Sequence, residues 1–217
     1  MAVLGTRDLF GAEAKAFRSL TNRLIEILEN QGYTEFIPSA LTYKELWIDK
    51  SGPEIARQMW TFPGKGEEPT QYALAPEITG IVQKLYRDSW SRSLPKPVKL
   101  WYLTKCWRYE RPQAGRYREF WQLGCERLGP ATEQDIEGVY GLMQTLLGVA
   151  LPEDSYQVTT GMERGLAYYT RQDRNIEAVC PSLGAQKQIA GGGTYAEGVG
   201  WAIGVERILL AREKLGI

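Results

Sequence analysis

The sequence predicts an α+β fold in which an antiparallel β-sheet is flanked by helices. Helical periodicity of apolar residues is strongest over residues 12–31, 132–148 and 202–215. The strand-like segments follow one another along the chain instead of alternating with helices, which favours an antiparallel sheet over βαβ units. The 217 residues contain no internal repeat and no obvious linker, so we expect a single domain over residues 1–217.

The first third of the chain predicts one long helix followed by short strands. Residues 12–31 place apolar side chains three and four positions apart, and Gly32 is a typical helix end. Residues 33–37 indicate a short strand ended by Pro38. Residues 56–74 hold two strand candidates, RQMWTF and TQYALA, which the turn-forming sequence PGKGEEP separates.

The remaining elements are predicted in the same way. A helix is expected after Pro76, because proline is favourable at a helix start. Two extended segments, 98–110 and 118–129, form a hairpin with a long polar loop, and Thr132 is the expected cap of the next helix. Further strand-like segments lie at 155–160, 166–171, 176–180 and 187–190. The glycine cluster 191–193 is expected to lead the chain as a turn towards the last helix.

Composition excludes several kinds of chemistry. Because 26 Lys and Arg balance 26 Asp and Glu, no basic excess is available for binding nucleic acid through bulk charge. The absence of histidine excludes Ser-His-Asp and Cys-His catalysis and imidazole zinc sites, and we expect no metal held by the protein alone. Three widely spaced cysteines, no signal-peptide pattern and no long apolar run predict a reduced, cytoplasmic protein without a membrane segment.

Three segments could carry chemistry. In RYERPQAGRYREFWQLGCE (108–126), guanidinium groups near the bend of the hairpin suit polyphosphate, although charge alone favours a solvated surface hairpin with ion pairs. In AGGGTYAEGVG (190–200), glycines allow a ligand close to the backbone, although the segment considered alone favours a flexible turn. Glu206 and Arg207 lie in an otherwise apolar helix, where a buried arginine requires a partner or an anion.

These segments resemble motifs of class II aminoacyl-tRNA synthetases, in the form specific to histidyl-tRNA synthetases. Residues 108–129 resemble motif 2, and GVGWAIGVERILLA resembles motif 3. ERGLAYYTRQ (163–172) resembles the histidine-recognition loop RGLDYYT, and AGGGTYAEG resembles the glycine-rich strand GGGRYDG. LAPEITG (74–80) resembles LRPEGT, and VLGTRDLF (3–10) resembles the N-terminal GTRD segment. The resemblance implies a catalytic domain with a class II synthetase-like antiparallel sheet, and a homodimer.

The resemblance implies that the protein binds ATP with Mg²⁺. Arg108 is expected to hold the α-phosphate and the amino-acid carboxylate, while Arg116 and Arg207 hold the outer phosphates. Glu110 would meet the adenine amino group, and Phe120 would stack on the ring. Transfer to the α-phosphate needs positioning and charge neutralisation, which arginines and Mg²⁺ supply without a histidine base.

The resemblance also implies an amino-acid site. Glu77 and Thr79 are expected to bind the amino group, and Gln122 to lie near that group and the carboxylate. Glu126 and Tyr169 would face a histidine imidazole, with Tyr195 nearby. Arg164 would lie against the carboxylate and the α-phosphate, so Arg108, Arg164 and Arg207 are the expected catalytic residues.

The sequence also departs from the family pattern. Ala167 and Ala196 replace acidic residues, and Trp121 stands where histidine is usual, which predicts a reshaped amino-acid pocket. Only residues 127–162 separate motif 2 from the recognition loop, which leaves no room for the insertion domain of the family. The chain ends at motif 3, so we expect no anticodon-binding domain and no standard recognition of tRNA.

Three functions are consistent with these features. The favoured one is a catalytic core that activates histidine or a related amino acid as an aminoacyl-adenylate, with tRNA or another molecule as the acceptor. The second is a regulatory, histidine-sensing paralogue comparable to the regulatory subunit of ATP phosphoribosyltransferase. The third is a shortened synthetase core with residual activity.

Overall fold

The computed structural model describes residues 3–48, 52–65, 70–163 and 165–217. The β-strands of the described residues are β1 Thr34–Glu35, β2 Leu41–Tyr43, β3 Thr61–Pro63, β4 Gln71–Leu74, β5 Val98–Trp107, β6 Glu119–Leu128, β7 Gln157–Thr160, β8 Ile176–Val179, β9 Gln188–Tyr195 and β10 Gly198–Gly204. The α-helices are α1 Ala12–Asn30, α2 Glu45–Ile48, α3 Gly52–Gln58, α4 Thr79–Leu85, α5 Ser91–Ser93, α6 Glu133–Ala150 and α7 Val205–Leu215.

A seven-stranded sheet forms the centre of the fold. Its strand order is β1-β5-β6-β10-β9-β8-β7, and only the short edge strand β1 runs parallel to its neighbour. A small antiparallel sheet, β2-β4-β3, lies beside it. The predicted α+β fold with a largely antiparallel sheet flanked by helices is therefore confirmed.

The two faces of the large sheet pack against different helices. Helices α1, α6 and α7 cover one face, where Leu24 and Met143 lie in a core with Trp201. The opposite face packs with Trp47 and Ile78 around the small sheet and α4. Successive strand residues point to opposite faces, so neighbouring positions in β6 belong to different cores.

Local sequence explains the long helices. Along α1, Phe17, Leu20, Leu24 and Leu28 are buried at the predicted spacing. Helix α6 begins with a capping box, in which Thr132 and Asp135 each accept a backbone hydrogen bond from the other. This helix, one short 3-10 turn and β7 fill the connection between motif 2 and the recognition loop.

Three predicted elements are wrong. Residues 57 and 58 belong to helix α3, and strand β3 starts only at Thr61. Residues 166–171 form a loop, which touches the sheet through an isolated bridge between Tyr169 and Tyr195. The glycines 191–193 lie inside β9, because β10 pairs with all three and β8 pairs with Gly191 and Gly192.

The end of the chain also differs from the expectation. Residues 202–204 complete β10, and α7 begins at Val205 instead of at residue 202. Among the described residues, no helix combines the length and apolar character needed to cross a membrane.

Candidate active site

One deep cleft opens on the face of the large sheet that lies opposite α1 and α6. It has a volume of about 890 Å³ when its open mouth is included. The motif 2 hairpin, the loop around residues 166–169, the start of α4 and the start of α7 form its walls. Its predicted site residues are Glu77, Thr79, Arg108, Glu110, Arg116, Phe120, Gln122, Tyr169 and Arg207.

Arginine side chains dominate one end of the cleft. Arg108 extends from the end of β5, where its Nε donates to the carbonyl of Pro76 at 2.9 Å. Its guanidinium carbon lies 5.3 Å from the centre of the Phe120 ring. Arg116 forms an ion pair with Glu110 across the hairpin. These contacts fix three charged groups at a site suited to anions.

Arg207 fastens the hairpin to the sheet. Its Nε donates to the carbonyl of Gly115 at 2.8 Å, and its Nη1 donates to the carbonyl of Gln188 at 2.7 Å. Burial lowers the pKa of Arg207, and the nearby positive charge of Arg108 lowers it further. The positive charges at this end of the cleft repel one another when no anion is bound. The two backbone carbonyls hold the Arg207 guanidinium in place against this repulsion.

The other end of the cleft carries a buried carboxylate. Glu77 is 4% exposed, its Oε1 accepts the N–H of Gly80 at 2.9 Å, and its Oε2 accepts the hydroxyl of Tyr168 at 3.4 Å. Burial raises the pKa of Glu77 to about 6, although the N–H of Gly80 and the charge of Arg108 oppose the shift. A ligand ammonium group would stabilise the ionised form of this carboxylate.

Glu126 lies behind the cleft wall and does not line the cleft. Its side chain is fully buried, its Oε1 accepts the Thr79 hydroxyl at 2.7 Å, and its Oε2 accepts the Tyr195 hydroxyl at 2.6 Å. Burial raises the pKa of Glu126 to about 7, against the effect of these two hydroxyls. The carboxylate therefore orients polar groups of the wall, and Thr79 is the one that reaches the cleft.

Glycines provide the space for these buried side chains. A Cβ atom on Gly200 would lie 1.6 Å from Oε2 of Glu126, and one on Gly124 would lie 2.0 Å from the Tyr102 ring. Strand register places glycines of three adjacent strands on the cleft face of the sheet: Gly124, Gly191, Gly193, Gly200 and Gly204. Two of them, Gly191 and Gly204, line the cleft itself, and the others leave room for the side chains that pack on the sheet.

The structure corrects the prediction of a reshaped pocket. Trp121 lies on the opposite face of the sheet, where its ring centre is 5.2 Å from that of Phe17. Ala167 and Ala196 are exposed, and neither lines the cleft. Strand alternation explains the position of Trp121, because its neighbours Phe120 and Gln122 both face the cleft.

Two other predicted site residues are not among those that line the described cleft. Tyr195 is buried behind the wall with Glu126. Arg164, expected to be catalytic, lies outside the described residues.

Sequence reasoning gave no ligand role to Tyr168 or Glu206, and both line the cleft. Tyr168 lines the cleft beside Tyr169, and the paired tyrosines of the loop were a signal for both. Glu206 also lines the cleft, and its two carboxylate oxygens accept the backbone N–H of Trp121 at 3.0 and 2.9 Å. Burial raises the pKa of Glu206 to about 7, and that N–H opposes the shift. An acid in an apolar helix was the available signal.

The fold is that of class II aminoacyl-tRNA synthetases. The apo histidyl-tRNA synthetase of S. aureus superposes with a TM-score of 0.81 at 23% identity, over 100% of this chain and 71% of that one. A Bacillus halodurans protein described as an ATP phosphoribosyltransferase regulatory subunit/histidyl-tRNA synthetase gives 0.79 at 14% identity, over 97% and 82% of the two chains.

Sequence similarity identifies the family. The family profile described as histidyl-tRNA synthetase matches residues 5–161, and the chain belongs to this family. The histidine–tRNA ligase of Methanocaldococcus jannaschii is 37% identical over 165 residues, which cover 75% of this chain. The same alignment spans 38% of the length of that relative. The predicted family resemblance is confirmed.

Proposed function

We propose that the chain binds ATP and an amino acid in this cleft and joins them as an aminoacyl-adenylate. A carboxylate oxygen of the amino acid attacks the α-phosphorus of ATP and forms a new C–O–P linkage. The bond from the α-phosphorus to the bridging oxygen of the β-phosphate breaks, and pyrophosphate leaves with the electron pair. The reaction needs two reactants held in line and negative charge neutralised.

The observation that carries this proposal is the chemical asymmetry of the cleft. Three arginines, Arg108, Arg116 and Arg207, line the same cavity as the buried acid Glu77 and the hydroxyl of Thr79. Guanidinium groups bind phosphate oxygens, and a buried carboxylate with hydroxyl neighbours binds an ammonium group. One cavity therefore offers partners for both reactants.

The proposed roles follow from this arrangement. Arg108 contacts the α-phosphate and the amino-acid carboxylate, and Arg116 and Arg207 contact the outer phosphates. Phe120 stacks on the adenine ring. Glu110 accepts a hydrogen bond from the adenine amino group after the ion pair between Glu110 and Arg116 opens. The family resemblance assigns Arg164 to the carboxylate and the α-phosphate.

Magnesium enters the proposal as a partner of ATP. No group of three acidic, cysteine or histidine side chains suited to a metal occurs within residues 3–48, 52–65, 70–163 and 165–217. Mg²⁺ commonly binds through substrate phosphates and one or two carboxylates. Glu110 and Glu206 are the carboxylates that line the cleft with the arginines. Bound there, the ion would neutralise phosphate charge.

Histidine, or an amino acid of similar size with a hydrogen-bonding side chain, is the proposed amino acid. Tyr169 lines the cleft and would contact the imidazole directly. Glu126 supports this contact from behind, because it holds the hydroxyls of Thr79 and Tyr195. Gln122 lies on the same face and would contact the amino group or the carboxylate.

We also propose that the chain forms a homodimer through its small sheet. Tyr43 and Phe62 are 60% and 40% exposed, and both rings lie against Tyr72, with ring centres 5.8 and 6.2 Å apart. An exposed aromatic patch of this kind is typical of a protein interface. Sedimentation should give twice the monomer mass, and a monomer at micromolar concentration would contradict the dimer.

The acceptor and the compartment are further parts of the proposal. The curated relatives are named for tRNA as acceptor, and transfer to tRNA or to another nucleophile is a step that follows adenylate formation. Cys106, Cys125 and Cys180 are buried and unpaired with one another, which supports function in the reducing cytoplasm.

The fold neighbour from B. halodurans supports a second candidate, a regulatory protein that binds histidine without activating it. The same acid and hydroxyl end of the cleft would then bind the amino acid. ATP would give no pyrophosphate. This candidate and the catalytic one differ in a measurable reaction.

ATP–pyrophosphate exchange across the twenty amino acids tests the proposal. We expect exchange with histidine or one related amino acid, and loss of at least 100-fold in Arg108→Ala, because a preorganised charge on the reacting phosphate is removed. Arg92→Ala, in the distant helix α5, is the matched control and should retain activity. Thermal stabilisation by histidine without any exchange supports the regulatory candidate, and no response to either ligand contradicts both.

A further inference from the structure

The loop that carries Tyr168 and Tyr169 is fixed to the sheet at its base. The N–H of Gly161 donates to the carbonyl of Asn175 at 2.9 Å, and the Asn175 amide donates to the carbonyl of Met162 at 2.9 Å. These two bonds close the loop where it leaves β7 and enters β8. These bonds fix the two ends of the loop, and other contacts fix its middle.

A second attachment joins the middle of the loop to β9. The N–H of Thr170 donates to the carbonyl of Thr194 at 2.9 Å, next to the bridge between Tyr169 and Tyr195. Backbone contacts therefore fix the loop on the side of the sheet. On its other side, the loop reaches helix α6.

Glu133 in the first turn of α6 contacts two arginines of the loop. Its Oε1 lies 2.5 Å from Nη1 of Arg171, and its Oε2 forms an ion pair with Arg174. Glu137, one turn later, lies 2.8 Å from Nη1 of Arg174. The Tyr140 hydroxyl donates to the carbonyl of Arg174. One face of α6 thus holds the segment that directly follows the two cleft tyrosines.

We propose that Glu133 is a positioning residue for the amino-acid side of the cleft. It acts through Arg171 and Arg174, which set the position of the loop and of the Tyr168 and Tyr169 rings. A loop that is docked only part of the time binds its ligand more weakly in proportion to the docked fraction. The consequence for catalysis rests on the proposed function, whereas the docking of the loop does not.

The docking contacts are sensitive to salt. Glu133 is 55% exposed at its side chain and Arg171 is 41% exposed, so dissolved ions screen their attraction. Each exposed pair is weak, but the carboxylate of Glu133 is shared between two arginines, and its loss removes both contacts. The backbone attachments at Asn175 and Thr170 are much less sensitive to salt.

Steady-state exchange kinetics of Glu133→Gln in the full chain test the positioning role. We expect the KM for the amino acid to rise about 3- to 10-fold, while the KM for ATP and kcat change less than 2-fold. Raising NaCl from about 50 to 500 mM should raise the amino-acid KM of the unmodified protein more than that of the variant, which keeps the ion pair between Glu137 and Arg174. Arg171→Gln should act in the same direction, and Glu153→Gln, an exposed acid beyond α6, is the matched control.

Hydrogen exchange measures docking without any activity. Glu133→Gln should accelerate amide exchange over residues 165–175 several-fold, with the rest of the sheet unchanged. Equal exchange over this segment in both proteins would overturn the proposal, as would an equal rise of both KM values. If the unmodified protein shows no pyrophosphate exchange, the proposed function fails, and the amide exchange still decides whether Glu133 docks the loop.

Discussion

The hydroxyl of Tyr195 donates a 2.6 Å hydrogen bond to Oε2 of Glu126, a carboxylate that solvent does not reach. Thr79 satisfies the other oxygen at 2.7 Å. The pair lies beneath the cleft and joins β9 to β6 through side chains. Its free energy depends on whether Glu126 is ionised, because burial of the charge is unfavourable even with three hydroxyl donors, the third being Tyr102 at 3.4 Å.

This relationship predicts a pH-dependent stability. The folded pKa of Glu126 is about 7, raised by burial above its ordinary 4.5, so the folded protein binds more protons than the unfolded chain between these values. The contribution of this group to stability is therefore greatest below pH 4.5, falls as pH rises from 4.5 to 7, and is level above that. We expect Glu126→Gln to be nearly neutral at pH 5 and stabilising by on the order of 3 kcal/mol at pH 8.

Urea unfolding at pH 5 and pH 8 measures this difference. Glu137→Gln serves as a control, because Glu137 lies on the surface and its variant should not gain stability with pH. The same gain at both pH values would contradict the burial of a charge as its cause.

Gly200→Ala should destabilise the fold through a steric clash. A Cβ at this position would lie 1.6 Å from Oε2 of Glu126 and 2.7 Å from the carbonyl of Cys125. We expect a loss of roughly 2–3 kcal/mol, since both neighbours are enclosed in the sheet. Gly138→Ala is the matched control: the site lies in α6, nothing lies within 4 Å of the added atom, and alanine should stabilise the helix by about 0.5–1 kcal/mol. Calorimetric Tm values should shift in opposite directions.

Trp121→His should change stability and leave ligand preference unchanged. The Trp121 ring packs on Phe17, on the face of the sheet away from the cleft. The smaller ring of histidine leaves a void there, which should lower the free energy of unfolding by about 1–2 kcal/mol. Gln122→Ala, one residue later, lines the cleft and should lose most stabilisation by the amino acid. Thermal shifts with a panel of amino acids compare the two variants, and a changed panel for Trp121→His would disprove this placement.

Arg207→Lys should loosen the motif 2 hairpin. A lysine cannot donate to the carbonyls of Gly115 and Gln188 with the same fork, and a buried carbonyl without a partner costs about 1–3 kcal/mol. We expect faster trypsin cleavage at Arg116 in the hairpin. Arg212 lies in α7 like Arg207, and its Nη1 donates to the carbonyl of Ala150 in α6. Arg212→Lys is the control and should leave cleavage in the hairpin at the original rate.

Much of the fold follows from local patterns in the sequence. The spacing in α1 and the cap of α6 gave bounds close to those observed. Errors arose where long-range pairing decides the structure: glycines 191–193 have low strand propensity, and pairing with β10, together with β8 at Gly191 and Gly192, fixes them as a strand. The loop 166–171 contains strand-forming tyrosines whose rings instead face the cleft.

Sequence motifs predicted which residues lie near the candidate site better than they predicted which of these residues line the cleft and which are buried behind its wall. Motif positions brought Arg108, Gln122 and Arg207 into one cleft. Sequence reasoning gave Glu126 the same status as Glu77, although only Glu77 lines the cleft. Burial of Glu126 depends on the space left by Gly200, which lies 74 positions away in β10, and such long-range packing cannot be predicted from local sequence patterns.

The glycines beneath the cleft have a consequence for how this pocket can change. Gly124, Gly193 and Gly200 lie under the side chains of Tyr102, Tyr169 and Glu126, and a Cβ atom on any of them would displace the side chain above it. Gly191 and Gly204 line the cleft with backbone alone, and strand pairing holds that backbone in place. New ligand preferences would therefore arise more readily from side chains of the surrounding loops than from these positions in the sheet.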